Sequence, residues 1–105
     1  MGLSIVFNDD DVVCGTTHNL VPMARACGLY QPVWRADNLL GEDFLASEVV
    51  GRLEHGLKRL VDNEELYKEY NSPNGWGTYE DFVQFLTAYI TACHERPDAT
   101  VYLCR

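Results

Sequence analysis

Three short segments of this chain combine residue types that recognise small ligands. The first is Thr16-Thr17-His18-Asn19. It falls where an apolar, β-branched run hands over to a helical pattern. Free N–H groups at a helix start attract anions, and His18 adds a hydrogen bond or a titratable proton. The plainer reading is that Thr17 or Asn19 caps the helix beside a satisfied His18. The second segment holds Leu29-Tyr30 and then Trp34-Arg35. Arg clamps carboxylate or phosphate at two points, and Trp offers a stacking face. Alternatively, Trp34 plugs the core and Arg35 pairs with an acid. The third is Asn74-Gly75-Trp76-Gly77-Thr78-Tyr79, two glycines around a Trp at a helix start. Glycine lets backbone approach a ligand closely; the alternative is a turn in which Trp76 covers the core. The segment has no Lys and follows no strong strand, so it is not a Walker loop, nor is it G-x-G-x-x-G.

Other chemistries find less support. Asp9-Asp10-Asp11 lacks the Gly and Glu offsets of an EF-hand and reads as a solvated turn. His18, His55 and His94 are scattered, with no H-E-x-x-H and no metal site expected. No G-x-S-x-G occurs. A Cys14–His18 pair can be drawn, but nothing nearby lowers a thiol pKa. The reading leans against an enzyme and expects no cofactor.

The elements that must position these segments follow from periodicity. Residues 3–7 and 12–14 flank the acidic turn as a hairpin. Asn19 is expected to open a first helix, with Pro22 in its first turn, a Leu20/Met23/Ala24/Cys27 stripe, and Gly28 as its stop. Residues 29–46 read as irregular, although Leu39, Leu40, Phe44 and Leu45 need burial. Ser47 is expected to cap a second helix with Val50, Leu53, Leu57, Leu60 and Val61 inward. Asn63 would cap a short third, and Thr78 with Asp81 a long last one. Pro97 ends that helix and residues 100–104 form a strand. The fold expected is α+β: a small antiparallel sheet, N-terminal hairpin plus C-terminal strand, with three to four helices packed on one face.

The 105 residues allow one domain, and 47 % apolar residues suffice for a core. No segment reads as a signal peptide or membrane span, and Gly2 is not read as myristoylated. With 16 acids against 8 bases the net charge is −8, and no basic stripe is apparent. Direct nucleic-acid binding is therefore not expected. The charge aids solubility, attracts a basic partner, or imitates nucleic-acid phosphates. Cys14, Cys27, Cys93 and Cys104 form no C-x-x-C and sit in apolar segments. They read as buried free thiols in a cytoplasmic protein.

The segments Thr17-His18-Asn19-Leu20, Gly28-Leu29-Tyr30, Val33-Trp34-Arg35, Asn74-Gly75-Trp76-Gly77-Thr78-Tyr79-Glu80 and Ala92-Cys93-His94-Glu95-Arg96-Pro97-Asp98-Ala99 resemble small uncharacterised proteins of phages and bacterial genomes. The resemblance runs from roughly residue 12 to the end and implies that these polar and aromatic loops distinguish the family. It implies no established activity. By analogy, phage-encoded domains of this size bind: some sequester a nucleotide signal, others mask a host protein. The expectation is a non-enzymatic module whose three segments converge on a small anionic or nucleotide-like molecule. His18, Asn19, Trp34, Arg35, Asn74, Trp76, Thr78 and Tyr79 would form the site. Trp34 and Trp76 would stack, Arg35 would neutralise charge, and His18 and Asn74 would hydrogen-bond. The rivals are an acidic inhibitor of a host protein and a small hydrolase built around His18. A homo-oligomer is compatible with any of these.

Overall fold

The computed structural model describes residues 2–105. Two strands, β1 (Gly2–Phe7) and β2 (Asp11–Thr17), form the expected hairpin, and β3 (Val101–Cys104) pairs with β1. The sheet is antiparallel throughout, in the order β2-β1-β3. Asn8 and Asp9 take positive φ values of 55° and 80° in the connecting turn, a conformation that Asn and Asp tolerate. Register slips between Ile5 and Val6, so the ladder carries a bulge. Leu3, Ile5 and Phe7 alternate into the core.

Among the described residues, six α-helices pack around this sheet: α1 (Val21–Cys27), α2 (Tyr30–Trp34), α3 (Ala36–Leu40), α4 (Ala46–Asp62), α5 (Glu64–Lys68) and α6 (Tyr79–Glu95). The count exceeds the three to four expected because residues 30–40, read as irregular, fold into two single turns. Gly28 at φ 82° ends α1, and Gly41 at φ 95° ends α3. The first helix also starts later than expected. Residues 18–20 form a 3-10 turn whose cap is Thr17, accepting from the Asn19 N–H at 3.3 Å. At α4 the cap is not Ser47. The Leu45 N–H instead donates to the Glu48 carboxylate at 2.8 Å. Asn63 does stand at the N-cap of α5, but its side chain makes no capping bond, because the amide turns back to donate to the Arg59 carbonyl at 3.0 Å. Leu39 and Val61, both expected inside, are exposed; Val61 keeps 54 % of its surface.

Helix α6 forms as its capping box dictates. Thr78 Oγ1 accepts from the Asp81 N–H at 3.2 Å and Asp81 accepts from the Thr78 N–H at 3.1 Å. Tyr79, Phe82, Phe85, Leu86, Tyr89 and Cys93 are buried along it, against β2 on one side and α4 on the other. Among the described residues, no helix is long and apolar enough to cross a membrane.

Two glycines of α4 have opposite surroundings. A Cβ on Gly56 would collide with the side chain of fully buried Leu29, so helix α4 and the start of α2 depend on its absence. A Cβ on Gly51 would meet nothing within 4 Å. Substitution to Ala should therefore act with opposite signs in denaturant unfolding. Gly56→Ala should destabilise by about 1–3 kcal/mol through overpacking, whereas Gly51→Ala should stabilise by up to about 1 kcal/mol through helix propensity. A stabilising Gly56→Ala would contradict this packing.

Candidate functional site

The three segments meet pairwise, not at one point. Segments one and three are fastened together. Asn19 Nδ2 donates to the Trp76 carbonyl at 3.1 Å. Gly77, at φ 94°, lies so close that a Cβ would stand 2.9 Å from that of Asn19. The polar groups of segment three hold its own loop. Asn74 Oδ1 accepts from the Ser72 hydroxyl at 2.7 Å and the Trp76 N–H at 2.9 Å. Thr78 is the cap of α6. At the start of α6 the Tyr79 N–H already donates to Asn71 Oδ1 at 2.7 Å and the Asp81 N–H to Thr78, while the Asp81 carboxylate accepts from the preceding Gly77 and Thr78 N–H groups. Those N–H groups hold the Asp81 carboxyl below its usual range, the Thr78 contact contributing most. Tyr79 belongs to the core, where its hydroxyl donates to the Leu60 carbonyl at 3.1 Å. Trp76, far from covering the core, is 73 % exposed at the loop tip.

Segments one and two build a cleft of about 280 Å³, lined by His18, Val21, Tyr30, Trp34, Arg35 and Arg105. Trp34 is its inner wall. The indole is only 3 % exposed and packs at 6.2 Å, centre to centre, on Phe82 of α6. It thus fills the core, and the cleft lies against it. Tyr30 also lines the cleft, half-buried and stacked on Trp34 at 6.3 Å and 13°. His18 tilts against Trp34 at 6.5 Å. The His18 Nε2 and Trp34 Nε1 atoms are buried without a hydrogen-bond partner, which leaves two polar atoms unsatisfied in the two residues that back the cleft.

Arginines surround Tyr30. The Arg25 guanidinium lies 4.2 Å from the ring centre, and Arg35 Nε donates to the hydroxyl at 3.3 Å. Arg35 meets no carboxylate among the described residues, in a chain where acids outnumber bases two to one. Arg105 donates through both terminal nitrogens to Asp37 at 3.1 Å and to the Trp34 carbonyl at 2.9 Å. That pair holds the Asp37 carboxyl below its ordinary range. The Arg35 hydrogen bond, followed by the charges of Arg35 and Arg25, lowers the Tyr30 phenol as well. Arg25 and Arg105 were not among the expected site residues. Arg25 lies on α1 in the turn before Gly28, a position legible from sequence, but Arg105 reaches the cleft only through the pairing of β3 with β1.

The remaining chemistry is sparse. Burial pushes the Cys14 and Cys93 thiols up to about 12 and Cys27 to about 11, so Cys14 offers no thiolate to His18 near neutral pH. Cys104 is exposed and Cys14 half-buried, which departs from the expected burial of all four. The end strand leaves Cys104 uncovered. No group of three or more His, Cys, Asp or Glu could hold a metal among the described residues.

No protein-family model matches the chain, and comparison with curated proteins and with solved structures finds no match.

Two measurements check this geometry. In an NMR or ultraviolet pH titration Tyr30 should ionise before Tyr79, Tyr89 and Tyr102, whose phenols burial pushes upward. Removing Arg35 takes away the donor that stabilises the phenolate, so Arg35→Ala should move the Tyr30 midpoint to higher pH. A midpoint that stays put would show the contact to be absent in solution. With a thiol reagent at about pH 8, Cys104 should react first and Cys14, Cys27 and Cys93 slowly. Fast labelling of Cys93 in the native protein would contradict its burial.

Proposed function

We propose that the chain is a non-enzymatic binding module, of the accessory or anti-defence type found in phages, that sequesters a small anionic or nucleotide-like ligand at the Tyr30–Arg35 cleft. The observation that carries this reading is Arg35. It lacks a carboxylate partner among the described residues although 16 acids are present, and it donates to the hydroxyl of Tyr30, which lines the same cleft. A guanidinium next to an aromatic face suits a planar ring that carries a negative group. Binding without catalysis fits the absence, among the described residues, of a carboxylate partner for His18 and the high thiol pKa of Cys14. In this reading Tyr30 takes the stacking role first expected of Trp34, and Arg35 keeps its neutralising role. Asn19, Asn74 and Thr78 act at a distance by holding the neighbouring loop.

The test is thermal unfolding against nucleotides, cyclic dinucleotides and ADP-ribose derivatives. A ligand at 100 times its Kd should stabilise by about 2.7 kcal/mol, several degrees for a chain of this size. The shift should vanish in Arg35→Ala and survive in Trp76→Ala, whose side chain is outside the cleft lining. A flat panel with a folded protein overturns the reading. It would favour the acidic surface docked on a basic host protein, a contact that weakens steeply with salt.

A further inference from the structure

A second cleft, sharing no residue with the first, lies where α4 crosses the junction of α1 and α2. It encloses about 330 Å³, and Gly28, Pro32, Gly51, Arg52, His55 and Arg59 are among its walls. Arg52, His55 and Arg59 follow the i, i+3, i+7 spacing that places them on one face of α4. Neither arginine has a carboxylate within ion-pair distance among the described residues. The acids of α4 are committed elsewhere. Glu48, one turn before Arg52, accepts from the Leu45 N–H; Glu54 faces His94 at 3.0 Å, and Asp62 pairs with Lys58 at 2.6 Å. The helix therefore separates its charges, with two guanidiniums that meet no carboxylate among the described residues and an imidazole on the cleft side.

A bland account covers Arg59 in part. It donates to the Cys27 carbonyl at 3.4 Å and so caps the end of α1. That contact uses one of five donors and leaves Arg52 and His55 without any explanation. Gly51 is the independent observation. It stands inside a long helix, where glycine weakens the helix relative to alanine, yet no neighbour requires its small size. Its bare position opens into the cleft beside Arg52. Gly56, by contrast, is accounted for by Leu29.

We propose that this cleft is a binding site for a phosphoryl group, held by Arg52 and Arg59 with His55 as a further donor, and that Gly51 leaves the room for it. Two guanidiniums match the geometry of phosphate oxygens. The proposal is independent of the Tyr30 cleft.

The experiment is an amide NMR titration of the whole chain with inorganic phosphate, repeated with phenyl phosphate, against sodium chloride of equal ionic strength. Saturable shifts are expected at residues 51–59 and at Gly28, absent with chloride. Arg52→Ala, at an exposed side chain with no partner to lose, should weaken binding about tenfold or more. Gly51→Ala should remain folded and also weaken it, while Arg35→Ala should leave it unchanged. Tighter binding of phenyl phosphate assigns a phosphate ester as the ligand; equal binding assigns phosphate itself. Shifts that do not saturate, that chloride reproduces, or that persist in both Arg52→Ala and Gly51→Ala overturn the proposal.

Discussion

The placement of Trp34 governs both the core and the surface above it. Its indole belongs to an aromatic chain through the molecule, from His18 to Trp34, then Phe82, Phe85 and Tyr89, with neighbouring centres about 6 Å apart. Such pairs add to what burial alone contributes. Because α6 is anchored by its Thr78–Asp81 cap, Phe82 is fixed, and Trp34 with it. The single turn α2 could not hold itself, since a helix that short is unstable in water. It exists because Pro32, Val33 and Trp34 are buried, and this sets the direction of Tyr30 and Arg35.

Charge is distributed as unevenly as burial. The acids lie mostly on the hairpin turn, the α3–α4 connection, α5 and the ends of α6, and several pair with the lysines or with Arg96. Arg25, Arg35, Arg52 and Arg59 meet no carboxylate among the described residues and stand on or beside α1, α2 and α4. A net charge of −8 thus coexists with four arginines that no carboxylate neutralises among the described residues. Net charge governs long-range repulsion, whereas recognition of a single anion depends on the charges within a Debye length of it. The same fold can repel a polyanion and still offer sites to a small one.

The loop before α6 shows how a motif can look like a site and serve as a joint. Asn74, Gly77 and Thr78 each have the residue type that ligand recognition uses, and each is engaged in the loop or the cap. Gly77 is needed because it lies against Thr17 and Asn19, and Asn19 then grips the Trp76 carbonyl. What the arrangement leaves over is Trp76, a large apolar side chain held outward on a braced loop.

Local chemistry determined much of this protein by itself. The hairpin, the stop at Gly28, the capped α6 with its apolar face and the C-terminal strand were all legible, because turn residues, caps and periodicity act within a few positions. Only the tertiary structure decided the rest. The turns α2 and α3 form through burial that no local pattern announces, and Leu39 and Val61 stay outside because no element covers them. Whether a tryptophan is wall or surface is set by what lies across from it: Phe82 for Trp34, solvent for Trp76. Arg105, distant in the chain, joins Trp34 through strand pairing. Arg52, His55 and Arg59 were not singled out from the sequence; their grouping gained a meaning only where α1 and α2 close the other side of the cleft.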